Sequence, residues 1–285
     1  MSGTPLSVTE KGESLLSSRS GKPVSSGERL AIDDRDFLRR EEMRSHRIAL
    51  EFERAELGLQ DRAIESTIVV FGSARAVAGR AGGDAEPRTE QPPNGIGALL
   101  AQSYEVAREF GRIASERGGA FASDSGMHQN VVTTGAGPGI MEAANRGAYE
   151  AGAPTIGLNI EIPSEQTPNE YITPGLCFSF HYFAIRKMHF AMRANALVAF
   201  PGGFGTLDEL FEILTLKQTR KTDGLPVILF CRDYWKRIVD FDALVQFGMI
   251  GKEDVELFQF VDSAEEAWQV MLDRGLTIPT PLKEE

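Results

Sequence analysis

The chain has 285 residues, 42% hydrophobic and 25% charged, with a formal net charge of −11 and a pI near 5.0. That length suits one large or two small domains with a sizeable core, and the acidic balance argues against nucleic-acid or anionic-membrane partners. The only two cysteines, Cys177 and Cys231, make no disulfide framework and lack metal-site spacing, so reduced, packed thiols are expected.

No apolar run approaches the roughly 18 residues of a membrane span. The N-terminus shows no hydrophobic signal core, so a cytoplasmic location is expected.

Residues 1–32 are Ser-, Gly-, Lys- and Glu-rich and are expected to be a disordered tail. A helical extension follows over 33–65. Asp33 or Asp34 is placed to cap a helix running to about residue 59, with an apolar stripe of Ile48, Phe52, Ala55 and Leu59 at helical spacing. The charge run Arg39-Arg40-Glu41-Glu42 reads as a solvated face, or more sharply as part of a helix packed on a neighbouring subunit.

The main domain is expected over 66–285. Short apolar runs predict strands at 67–71, 131–134, 155–160, 176–180, 196–200, 226–230 and 257–261. Between them, periodic segments predict helices at 96–117, 140–151, 181–193, from Thr206, at 234–247 and at 264–272. Residues 76–94 read as a flexible insertion. Alternating strands and helices predict an α/β, Rossmann-like parallel sheet with helices on both faces. In such sheets ligands bind at the strands' carboxyl ends, near a switch in strand order.

Two glycine-rich turns fall at predicted strand ends. One is Pro201-Gly202-Gly203-Phe204-Gly205-Thr206, running into Leu207-Asp208-Glu209. Its glycines let the backbone approach an anion closely, and the helix that follows adds free N–H groups and a positive dipole end. Thr206 and Glu209 then offer side-chain chemistry. The bland alternative is a capping box, in which Thr206 and Glu209 satisfy each other's backbone N–H groups. The other turn is Gly135-Ala136-Gly137-Pro138-Gly139 before Ile140-Met141-Glu142. It is a poor dinucleotide fingerprint, because its third glycine comes too early. It reads either as a tight strand-to-helix turn or as a backbone cradle for ribose or base, with Glu142 reaching sugar hydroxyls.

Arg186, His189 and Arg193 share a helical face by spacing. Arg186 suits bidentate pairing with a phosphate or carboxylate, which Lys187 does not; the bland reading is a surface arginine. A Schiff base on Lys187 has no supporting context.

At these residues the sequence resembles the LOG ("lonely guy") family, long mislabelled as lysine decarboxylases. The signatures are Phe71-Gly72-Ser73, the Gly135–Glu142 run, Arg186-Lys187, and Pro201–Thr206 with Glu209. The resemblance implies hydrolysis of the N-glycosidic bond of a nucleoside 5′-monophosphate, AMP-like or N6-modified, to free base and ribose 5-phosphate. It implies Arg186 and Glu209 as the catalytic pair and Gly202, Gly203, Gly205 and Thr206 as the phosphate turn. Ser73, Gly135, Gly137, Gly139 and Glu142 complete the expected substrate site. A small-molecule nucleotide is the expected partner, in a homodimer or higher homo-oligomer, with no metal and no cofactor. The competing class is a non-catalytic carrier of a phosphorylated ligand such as molybdenum cofactor. A pyridoxal-phosphate decarboxylase is a distant third. The added N-terminal helix, the insertion at 76–94 and Ala136 depart from the family pattern.

Overall fold

The computed structural model describes residues 29–78, 95–121, 126–162, 167–222 and 224–279. Most of the expected tail and most of the 76–94 insertion therefore lie outside the described residues. The chain divides into two compact units between Arg47 and Ile48.

In the first unit Asp34 caps α1 (Arg35–Arg39), accepting from the N–H groups of Asp36 and Phe37, each at 3.1 Å. The single helix expected to residue 59 is corrected here. The backbone leaves helical geometry at Arg40 (φ −56°, ψ 150°), a short 3-10 turn covers Glu41–Met43, and α2 (Arg44–Gln60) begins afresh. Arg47 makes the break tolerable. Its guanidinium donates to the carbonyls of Leu38 at 2.8 Å and Arg40 at 2.6 Å, groups that a broken helix would leave unpaired.

The second unit holds seven strands among the described residues: β1 (Thr67–Phe71), β2 (Val131–Thr134), β3 (Thr155–Ile160), β4 (Cys177–Phe180), β5 (Ala194–Ala199), β6 (Val227–Phe230) and β7 (Gln259–Val261). They form one sheet in the order β4-β3-β2-β1-β5-β6-β7, every neighbouring pair parallel. The helices are α3 (Ile96–Arg117), α4 (Ile140–Glu150), α5 (Phe183–Met192), α6 (Phe204–Gln218), α7 (Arg232–Ile238), α8 (Phe241–Gln246) and α9 (Ala264–Asp273). This is the expected α/β, Rossmann-like sheet with helices on both faces.

Period-2 alternation divides the core. Ile68 and Val70 of β1 join the layer under α3, α4 and α9, with Phe110, Ile140 and Met271. Val69 and Phe71 join the opposite layer, with Leu59 of α2, Phe190 of α5, Leu210 of α6 and Trp235 of α7. Each fully buried side chain of this size contributes about 1.5–3 kcal/mol. That is why the strands are apolar on both faces, and why their apolar runs were visible in the sequence.

The helix expected at 234–247 is also corrected. Val239 is extended (φ −128°, ψ 117°), and Asp240 caps a new helix, α8, by accepting from Ala243 N–H at 2.8 Å. Cys177 and Cys231 are free and half-buried, and burial pushes the Cys177 thiol up. No helix among the described residues is long and apolar enough to cross a membrane.

The apolar stripe of α2 is spent inside the chain: Ala55 and Leu59 are buried, and Ile48 and Phe52 pack against the same core. Three polar links then bind α2 to α5 and its ends. Glu51 accepts from the N–H groups of His181 and Tyr182, each at 3.1 Å. The Phe52 carbonyl pairs with His189 Nε2 at 3.2 Å. Glu56 receives both guanidinium arms of Arg193, at 2.7 and 2.6 Å. His189 is 3% exposed and lies between the Phe52 and Phe180 rings, and its Nδ1 is buried with no partner among the described residues.

Burial holds the His189 imidazole below its usual range, despite the Phe52 carbonyl and Glu56 favouring the charged form. The unfolded chain therefore binds the proton more readily. The His189 contribution is unperturbed above about pH 6.5 and turns destabilising as pH falls through that value. Urea unfolding of the wild type and His189→Gln between pH 7.5 and 5.5 is expected to show a gap that shifts by up to about 1.4 kcal/mol per pH unit against the wild type. A pH-independent gap would contradict this.

Candidate active site

The chain runs outward from β1 to β4, then returns to lay β5 on the other side of β1. The switch in strand order thus lies between β1 and β5, where open α/β sheets bind ligands at the carboxyl ends. Three turns meet there. The Ser73 N–H after β1 donates to the Pro201 carbonyl after β5 at 2.9 Å, and the Ser73 carbonyl accepts from Ile140 N–H after β2 at 3.1 Å. Ser73 Oγ accepts from Arg75 N–H at 3.1 Å and so folds its own turn.

Close approach explains the glycines of the first turn. At Gly139 (φ +74°) a Cβ would lie 2.3 Å from the Ser73 carbonyl oxygen, and at Gly135 one would lie 2.4 Å from Arg186 Nη2. Ala136 holds φ +66° without being glycine, and its carbonyl accepts from the Asn169 N–H at 2.8 Å and side chain at 3.1 Å. The Asn169 amide also reaches the Gly137 carbonyl at 3.2 Å and Asn145 Oδ1 at 3.0 Å. Thr134 Oγ1 donates to the same Asn145 oxygen at 2.6 Å. This network fixes the first turn, and the sequence reading missed Asn145 and Asn169. Asn145 alone left a signal, as a poor helix former inside a helix.

In the second turn the capping-box alternative fails. Helix α6 starts at Phe204 with Gly203 as its cap residue, so Thr206 is already the third helical residue. Thr206 and Glu209 lie one turn apart and are both buried, at 6% and 7% exposure. The Thr206 side chain lies over Gly202, while Gly203 and Gly205 are exposed.

Arg186 comes from α5 and is 8% exposed, which removes the surface-arginine reading. Its Nε donates to the Leu158 carbonyl at 2.9 Å, and its guanidinium carbon lies 5.1 Å from the Phe190 ring centroid. Its Nη1 lies 3.9 Å from Glu209 Oε1. The structure thus brings Arg186, Glu209 and Gly135 together, with both glycine turns around them.

The charges set each other's state. Burial raises the Glu209 carboxyl above its usual range, with Arg186 opposing; burial lowers the Arg186 guanidinium, with Glu209 opposing. At 3.9 Å the pair acts through charge rather than through a short hydrogen bond.

Glu142 is tied to α3: the Tyr104 hydroxyl donates to its carboxylate at 2.9 Å. Burial, with Glu142 adding to it, pushes the Tyr104 phenol up to about 12, so it keeps its proton and donates at neutral pH. Lys187 bridges to α6, with Nζ 2.9 Å from Asp208 and 3.0 Å from Glu212. Burial would lower this ammonium, but the two carboxylates outweigh it and the net shift is upward. A lysine held charged is a poor Schiff-base nucleophile. Among the described residues no group of three or more His, Cys, Asp or Glu side chains is placed to hold a metal ion. A groove of about 540 Å³ is lined by Lys187, Phe204, Leu207, Asp208, Phe211 and Glu212. Neither Arg186 nor Glu209 lines it, so the paired charges rather than the groove mark the candidate site.

Residues 141–271 match a family model described as possible lysine decarboxylase. The chain is 29% identical over 140 residues to a cytokinin riboside 5′-monophosphate phosphoribohydrolase of Arabidopsis thaliana, covering 48% of this chain and 64% of that one. It is 31% identical over 152 residues to a probable cytokinin riboside 5′-monophosphate phosphoribohydrolase of Oryza sativa subsp. japonica, covering 52% and 56%. The matched stretches span less than two thirds of these curated relatives. Among solved structures, the Moco carrier protein from Chlamydomonas reinhardtii is 21% identical, with 74% of this chain and 97% of that one covered and a TM-score of 0.45.

Proposed function

We propose that this chain, which is similar over part of its length to cytokinin riboside 5′-monophosphate phosphoribohydrolases, hydrolyses the N-glycosidic bond of a nucleoside 5′-monophosphate, AMP or an N6-modified AMP. The observation that carries the reading is the buried Arg186–Glu209 pair, 3.9 Å apart, beside the glycine turn that opens α6. The turn with Gly202, Gly203, Gly205 and Thr206 holds the 5′-phosphate. Phosphate binding then fixes the sugar against Glu209, so remote binding energy is used for orientation. As the C1′–N bond breaks, its electron pair leaves with the base and positive charge grows on the ribose, an oxocarbenium-like state. The Glu209 carboxylate stabilises that charge and orients the attacking water. Water gives its hydroxyl to C1′ and its other proton to the base, yielding free base and ribose 5-phosphate. Gly135, Gly137, Gly139, Ser73 and Glu142 line the remainder of the substrate site in this reading.

Ionised Glu209 is the active form. Its folded-state carboxyl is raised, so activity is lost with falling pH earlier than an ordinary carboxylate, at about 4.3, would lose it. The acid limb of kcat/KM is expected above that value, and it moves higher still in Arg186→Gln, where the opposing charge is gone. An acid limb at or below the ordinary value would remove Glu209 from this role.

Phe183, Met188 and Met192 on α5 and Phe204 (92% exposed) and Phe211 on α6 leave apolar surface on the two helices that carry Arg186 and Glu209. That surface supports a homodimer, in a chain working in the cytoplasm. Chromatography after incubation with a panel of nucleoside 5′-monophosphates tests the function and ranks the bases. Nucleotide binding without base release would favour a carrier instead.

A further inference from the structure

Tyr234 on α7 has no part in the chemistry above, yet its hydroxyl donates to the carbonyl of Gly202. Helix α7 is well placed to reach it. It leaves the carboxyl end of β6, which pairs with β5, through Cys231 at φ +69°. The buried Trp235 then ties it to the sheet, its indole N–H donating to the Phe230 carbonyl at 2.9 Å. In a trans peptide the carbonyl and the following N–H point to opposite sides. Holding the Gly202 carbonyl therefore sets the direction of the Gly203 N–H. The next peptide is fixed from the other end: the Gly203 carbonyl accepts from Leu207 N–H at 3.0 Å, in the first turn of α6. The Phe204 N–H accordingly points out of the helix N-terminus. A Cβ built on Gly203 would meet nothing within 4 Å, so space for a ligand lies beside these donors.

We infer that Tyr234 is a positioning residue, which locks the Gly202–Gly203 peptide so that the Gly203 N–H faces a bound 5′-phosphate. This rests on the reading of the turn as a phosphate site. Burial holds the Tyr234 phenol above its usual range, so the hydroxyl stays protonated and donates throughout the neutral range. Without it the peptide rotates freely, and part of the binding energy goes into ordering it.

The test is calorimetry on the full chain with two probes, ribose 5-phosphate and ribose, for the wild type and Tyr234→Phe. Loosening the peptide that presents one N–H to the anion is expected to weaken ribose 5-phosphate about tenfold, with ribose unchanged. The KM for the nucleotide rises about tenfold and kcat stays within about twofold, because the phenyl ring and the Arg186–Glu209 pair remain. Ribose 5-phosphate binding within about twofold of wild type overturns the inference. So does an equal loss for both probes or a large fall in Tm, either of which marks a merely structural role. A wild type that binds ribose 5-phosphate no better than ribose overturns the phosphate turn itself, and the inference with it.

Discussion

Glu209→Gln is expected to lower kcat by about 10³-fold while nucleotide binding stays within about threefold, on the scale of removing one preorganised charge from a transition state. The amide keeps the shape of the carboxylate and leaves the glycine turn intact, so phosphate binding survives. What disappears is the negative charge opposite the developing ribosyl cation. The carboxyl is 7% exposed, so little water screens that charge and its loss is felt in full. Arg186 remains anchored by Leu158 and Phe190 in this variant, which limits the structural cost. Calorimetry for binding and base release for turnover separate the two effects. A variant that turns over at near-normal rate would remove Glu209 from the chemistry.

Arg186→Ala is expected to lower kcat/KM by about 10²-fold or more, the scale for losing a positioned group. Two effects act together. The guanidinium packs against Gly135 and over Phe190, so its loss leaves a cavity between the two glycine turns. It is also the charge that opposes protonation of Glu209, so without it the active carboxylate is lost from a higher pH. Arg186→Lys restores a charge but not the planar fork that reaches Leu158 and Glu209 at once, and should recover only part of the loss. Steady-state kinetics with a melting curve for each variant checks this; an unchanged kcat/KM in Arg186→Ala takes the arginine out of the site.

The strands were readable because parallel strands buried on both faces are plain apolar runs; β1 and β2 lie where the sequence places them. The breaks at Arg40 and Val239 were not. Neither carries proline or glycine, and each is settled by a hydrogen bond, from Arg47 or to Asp240, that propensity does not weigh. Gly135 and Arg186 were each visible, but their contact depends on how β2 and α5 pack. Burial of Arg186 runs against its charge, and only the Leu158 carbonyl and the Phe190 face explain it. Asn169 and Tyr234 left no trace at all. Each bonds a backbone carbonyl, 33 and 32 positions away, and any residue type supplies a carbonyl.

Incubating the wild type and Glu209→Gln with AMP, and quantifying adenine and ribose 5-phosphate together, bears most directly on the proposed hydrolysis. Equimolar release of both by the wild type, with release by the variant slowed about 10³-fold, is the predicted result. A wild type that binds AMP and returns it uncut would contradict the hydrolase reading and leave a nucleotide-binding protein in its place.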